Sequence, residues 1–205
     1  MRNRLFSTLF VAALLVFSGC DSSSSEEFMP PEVQMAVDIP ADPIVGFGPR
    51  GPVGAGVITF YSLRENRIVP AADSASAAWD IALQSTTIFT NGGASGPGQG
   101  GAQVVEALFE EVTEAPATGY STDATSGFAI PTGSGNGWYN YNPQANVVSP
   151  IPGRVLVVRC ADGTFAKIRM MSYYKGNPAN PTSADESRHY TFEFVHQPDG
   201  SRRFE

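Results

Sequence analysis

Hydrophobic and polar positions alternate along several stretches of this chain with the two-residue period of half-buried β-strands. Val57 to Ser62 is β-branched and aromatic, and Ala78 to Leu83 alternates large apolar with small or polar residues, so both are expected to be strands. Arg154 to Cys160 and Thr164 to Tyr174 flank Ala161-Asp162-Gly163, and Asp-Gly between two apolar runs predicts a β-hairpin with a tight turn. Arg188 to His196 places Tyr190, Phe192, Phe194 and His196 on one face and His189, Thr191, Glu193 and Val195 on the other. Pro198-Asp199-Gly200 closes that strand as a turn. Ala102 to Glu114 is ambiguous, because Val104, Val105, Leu108, Phe109 and Val112 follow helical spacing in a short segment that runs into Pro116. Together these runs predict a mainly β chain built as one antiparallel domain.

A different pattern opens the chain. Arg2 and Arg4 precede an apolar run from Leu5 to Phe17, too short to cross a bilayer, and Ser18-Gly19-Cys20 follows at once. This is the form of a bacterial lipoprotein signal, with cleavage before Cys20 and lipidation of its thiol and amine. One acyl chain binds a membrane only marginally, so the several chains of such an anchor would hold the protein to lipid. Residues 1–19 are therefore expected to be a signal peptide. Residues 20–52 are expected to be the lipidated cysteine and an extended tether, since Ser22 to Ser25 and Glu26-Glu27 are too polar to fold and the following stretch is rich in Pro and Gly. The β domain is then expected over 53–205. Acidic residues beside the lipidated cysteine suit either surface export or inner-membrane retention, and the sequence leaves that choice open.

Composition narrows the partners. The chain has 205 residues, 13 Lys and Arg against 20 Asp and Glu, and a formal charge of −7, which loss of Arg2 and Arg4 with the leader deepens to −9. Nucleic acid is an unsuitable partner for a surface without clustered cations. With Cys20 lipidated, Cys160 has no partner for a disulfide and reads as a buried thiol.

Candidate chemistry is sparse. Gly96-Pro97-Gly98-Gln99-Gly100-Gly101 matches the letters of a dinucleotide fingerprint, but it lacks the repeated βαβ context and has only Asp123, in a polar loop, as the expected acidic residue. It reads better as a loop that brings backbone close to another strand or a flat ligand. The two histidines lie on opposite faces of one strand, and neither a nucleophile elbow nor an H-E-x-x-H pattern is present. No enzymatic activity is expected.

Ala78-Trp79-Asp80-Ile81-Ala82-Leu83, Asn91-Gly92-Gly93 through Gly101-Ala102, Val112-Thr113-Glu114-Ala115-Pro116, Trp138-Tyr139-Asn140-Tyr141, Phe165 to Tyr173-Tyr174 and Tyr190-Thr191-Phe192 to Ser201 together resemble the HmuY family of haem-binding lipoproteins. The resemblance runs from about Thr59 to the C-terminus. It implies an antiparallel β domain that grips haem between loops at one end and, as a haemophore on the outer membrane, delivers it to a TonB-dependent receptor. Members of the family differ in their axial ligands, so candidates here follow from chemistry: the imidazoles of His189 and His196, the thioethers of Met170 and Met171, and the phenol of Tyr120. No metal beyond haem iron is expected. The competing class is a surface adhesion or carbohydrate-binding lipoprotein without haem, with Trp138-Tyr139-Asn140-Tyr141 and Tyr173-Tyr174 as an exposed platform.

Overall fold

The computed structural model describes residues 30–49 and 51–205. The expected signal peptide, Cys20 and the polar tract up to residue 29 lie outside the described residues. All the extended elements pair antiparallel. In chain order they are β1 (Val33–Pro40), β2 (Ile44–Gly48), β3 (Gly51–Gly54), β4 (Thr59–Ser62), β5 (Arg67–Val69), β6 (Ile81–Gln84), β7 (Thr87–Thr90), β8 (Gly101–Glu106), β9 (Tyr139–Asn142), β10 (Val147–Pro150), β11 (Arg154–Arg159), β12 (Phe165–Tyr174) and β13 (Ser187–Gln197). Among the described residues the only helical pieces are two 3-10 turns, Ala71–Asp73 and Phe109–Glu111.

Five strands form the larger sheet in the order β1-β13-β12-β11-β8, and four form a second in the order β5-β4-β6-β7. The two sheets share one core. Ala36, Leu156, Val158, Ile168, Met170, Tyr190, Phe192 and Phe194 come from the first, Tyr61, Ile81, Leu83 and Ile88 from the second, and Leu63 from the turn after β4. The parity expected for β13 holds, with Tyr190, Phe192 and Phe194 in this core and Val195 in a smaller cluster with Val155, Val157, Phe109 and Phe204 on the other face. Lys167 is buried on that second face because its Nζ donates to the carbonyls of Phe109 and Val112, both at 2.9 Å, and lies 4.5 Å from the Phe109 ring centre.

The structure departs from the sequence reading at three places. The tether does not extend to Pro52: Val33 to Pro40 pairs with β13 as the edge of the larger sheet, so the folded part begins about twenty residues earlier. The alternation there is Val33, Met35, Val37 outward and Ala36 inward, interrupted by the positive φ of 54° at Asp38, and the neighbouring Pro and Gly hide it. Ala102 to Glu114 is a strand followed by a 3-10 turn, whose change of direction mimics helical spacing. The β11–β12 hairpin is present, and its connection is five residues long, taking in Cys160 and Thr164 beside the expected Ala161-Asp162-Gly163. Only Gly163 in it takes a positive φ, and the Asp162 carboxylate accepts from the Thr164 amide and hydroxyl.

The glycine-rich loop serves the fold. Asn91 donates to the carbonyls of Ser76 and Trp79 and accepts from the Gly98 amide. The backbones of Gly92 and Gly100 then meet so closely that a Cβ on Gly92 would fall 2.1 Å from the Gly100 carbonyl oxygen. Asp123 accepts from Thr90 and Ala129 amides at 2.9 and 2.8 Å, so this carboxylate ties a loop to β7.

Candidate functional site

The five candidate side chains fall in four places. His196 is closed into the sheet end beside Thr164, Asp162 and Asp80. Its Nε2 is 2.9 Å from the Thr164 hydroxyl oxygen, whose own proton goes to Asp162 at 2.6 Å. A carboxylate only accepts, so His196 must donate through Nε2, leaving no lone pair there for a metal. Burial lowers its pKa, against the pull of Asp80 and Asp162. His189, half-buried near Pro40, has Nδ1 at 3.1 Å from the Ser187 carbonyl oxygen and Nε2 at 3.7 Å from Glu186. Tyr120 packs on Phe165 in the second-face cluster, away from Trp138, which lies in the main core. Its hydroxyl is buried with no hydrogen-bond partner, and burial pushes its pKa up to about 12 in spite of Arg159 and Arg202.

Met170 and Met171 are the pair the fold brings together, and a strand irregularity does it. Along β12, Ala166, Ile168 and Met170 face the core while Lys167 and Arg169 face the other side. Met170 pairs with Phe192 and Ser172 with Thr191, two residues against one, so Met171 is the extra residue of a β-bulge. Met171 stays on the outward parity of Lys167 and Arg169. Met171 is 39% exposed and Met170 7%, yet both line one apolar hollow of about 240 Å³ with Leu108, Phe109, Ile151, Arg154 and Arg169.

Two loops wall this hollow. Ala107 to Phe109 leaves β8 into a 3-10 turn, and Pro150 to Gly153 joins β10 to β11. Arg154 is held by the carbonyls of Gly135 and Gly137 at 2.9 and 2.6 Å, and Arg169 pairs with Glu193 and, at 3.1 Å, with Glu110. The site therefore offers soft thioethers, apolar walls and two fixed guanidinium groups. At about 240 Å³ it is smaller than the ~300–1,000 Å³ of enclosed small-molecule pockets, so a flat ligand would lie across it as a groove. The sequence marks Met170 and Met171 by chemistry alone, and the loop and arginine residues around them carry no motif.

The aromatic residues noted in the sequence are mostly structural. Trp138 is buried, donates to the Thr86 carbonyl at 3.0 Å and packs against Tyr139, Tyr173 and Tyr190, with ring centres 4.9 to 5.8 Å apart. Tyr174 is buried too, and its hydroxyl accepts from the Val148 amide. Tyr141 is the exposed member, at 43%.

These features define an all-antiparallel, two-sheet β protein with its candidate site on a bulged strand of the larger sheet. The chain belongs to the HmuY family: the family model described as HmuY protein matches residues 56–194. Among solved structures it is similar to the apo form of an HmuY analogue from Tannerella forsythia, with 17% identity, a TM-score of 0.50, and coverage of 82% of this chain and 96% of that one. It also matches apo PinO from Porphyromonas gingivitis at 15% identity and a TM-score of 0.45, covering 80% and 97% of the two chains. A further match is a protein of Bacteroides vulgatus provisionally described as HmuY-like and heme-binding, at 17% identity and a TM-score of 0.44, covering 67% and 84%. At these identities the likeness to the Tannerella protein bears on the fold. A search of curated proteins finds no match.

Proposed function

We propose that this protein is a lipid-anchored haem carrier that captures haem outside the cell and passes it to a TonB-dependent receptor in the outer membrane. The observation that carries the reading is the bulge that brings Met170 and Met171 to one apolar hollow between two guanidinium groups, in a member of the HmuY family. Haem iron accepts thioether ligands, the porphyrin face suits apolar walls, and its carboxylates suit Arg154 and Arg169. Met171, outward at the bulge, is the side chain free to ligate. Met170, packed in the core, fixes the floor. The proposed role is binding and release of haem through iron coordination, with no covalent change made to the haem by the protein's own residues. Acylation at Cys20 would keep the carrier at the membrane.

Haemin titration of the purified mature chain tests this. A shifted Soret band that Met171→Ala alters, and that His189→Ala leaves unchanged, is the expected result. A flat titration would overturn the haem reading. A spectrum that follows His189 instead would move the site to the β13 start.

A further inference from the structure

The β2–β3 hairpin is a separate two-stranded sheet. Its root is clamped: Arg188 Nη1 donates to the Asp42 carbonyl at 2.7 Å and its carboxylate at 3.2 Å, Arg188 Nη2 reaches the Pro52 carbonyl at 3.4 Å, and the Asp42 carboxylate accepts from the Val57 amide at 2.9 Å. From that fixed root the hairpin presents apolar side chains to solvent. Phe47 is 82% exposed, Val45 66% and Val53 48%, and Val57, just past the hairpin, is 47% exposed. Val45 is the extra residue of a β-bulge between Ile44 and Gly46, two positions before Phe47. A two-stranded hairpin is marginal in water by itself, and nothing in its own packing accounts for an exposed aromatic tip. Its charge is as unusual as its exposure. In a chain with 20 Asp and Glu, the only charged residue between Asp42 and Arg64 is Arg50.

We propose that this hairpin is a membrane-contacting wing that seats Val45 and Phe47 in the headgroup region of a phospholipid bilayer. The proposal rests on the reading that Cys20 is acylated, because the anchor supplies the nearby surface. A bilayer bearing phosphates disfavours carboxylates and accepts apolar and cationic side chains, which is the composition of this segment. A second copy of the chain would make no such demand on charge. Reach is adequate: the thirteen residues from Cys20 to Val33 span at most about 45 Å, more than the roughly 25 Å of β1 that separates its start from the hairpin root.

The test uses the full acylated chain in phosphatidylglycerol-containing vesicles, with an environment-sensitive fluorophore on Phe47→Cys or, as control, Ser183→Cys. Cys160 is buried and acylation would block Cys20, so the label goes to the new thiol. The label at position 47 should shift to the blue and be quenched by spin-labelled lipid, while that at 183 should not. A vesicle-bound chain with position 47 as wet as 183 overturns the proposal, as does a shift that appears without vesicles and grows with protein concentration, the mark of a second copy. An unacylated Cys20→Ser chain gives an independent arm: Val45→Ser/Phe47→Ser should lower its vesicle flotation roughly tenfold. Equal flotation of the two, or none by either, overturns the wing. Mass spectrometry of Cys20 separately reads acylation, so a missing lipid sinks the tether while the flotation arm still decides the hairpin.

Discussion

Asp80 lies where the two sheets join, and its removal gives the sharpest stability test. Its carboxylate is fully buried, accepting from the Leu63 amide at 2.9 Å and the Ala161 amide at 3.1 Å. One donor belongs to the turn after β4 and the other to the loop after β11, so a single side chain fastens the four-stranded sheet to the five-stranded one. Asp80→Ala leaves both amides buried and unpaired, at about 1–3 kcal/mol each, for a loss of about 4 kcal/mol. Arg64, which sits 3.4 Å from Asp80, adds little because it is partly exposed and keeps Asp162 and the Ala77 carbonyl. Asp80→Asn retains one acceptor and should lose about 2 kcal/mol. The assay is urea unfolding followed by tryptophan fluorescence, with a thermal scan in which Asp80→Ala drops Tm by roughly 8–16 °C. A loss under about 1 kcal/mol for Asp80→Ala would refute the view that this carboxylate joins the sheets. Asp80 does not line the methionine hollow, so haemin binding per folded molecule should stay the same.

The other predictions concern single groups. Burial lowers the His196 pKa, so below the unfolded value of about 6.5 the unfolded chain takes up a proton that the folded chain refuses; stability should fall as pH drops below that point, and His196→Gln should flatten urea midpoints compared at pH 7.5 and 5.5. Gly100→Ala places a Cβ 2.5 Å from the Asn91 backbone and should cost about 1–3 kcal/mol or more in urea, whereas Gly46→Ala, with open space around it, should stay within about 0.5 kcal/mol. Tyr120→Phe removes a buried hydroxyl without a partner, so it should leave stability unchanged or slightly raised and the haemin spectrum untouched; a spectral change would make Tyr120 a ligand.

Residues whose burial follows a simple period were legible in the sequence. Tyr190, Phe192 and Phe194 alternate with Thr191, Glu193 and Val195, and β13 seats the first three in the main core and Val195 in the smaller cluster on the other face. Elements without that regularity were not. The edge strand β1 carries its alternation through Asp38 with a positive φ, and the Gly and Pro of β2 and β3 read as loop although they form a hairpin. Lys167 is a charged residue in a buried position because two backbone carbonyls meet its ammonium, a pairing 55 and 58 residues apart that no local pattern encodes. The bulge at Met171 arises in the same way, from the register between β12 and β13 rather than from either strand alone.

This difference separates what the family motifs report from what the site does. Asn91 with Gly92 and Gly100, Trp138, and Tyr173-Tyr174 are among the stretches by which the sequence resembles HmuY proteins, and they are buried in packing and hydrogen bonds internal to the fold. They fix the loops and the aromatic end of the core, so they specify the scaffold. The thioethers, arginines and apolar walls of the hollow lie on a bulge and two loops, where a side chain can change without unseating that core. Met171→His tests the separation: Met171 points out at the bulge and is 39% exposed, so the substitution should leave the urea midpoint within about 0.5 kcal/mol. If haem binds here, the same change should convert the spectrum to one with an imidazole ligand. A large loss of stability would show instead that the bulge is part of the core, and that ligand and scaffold are not independent in this chain.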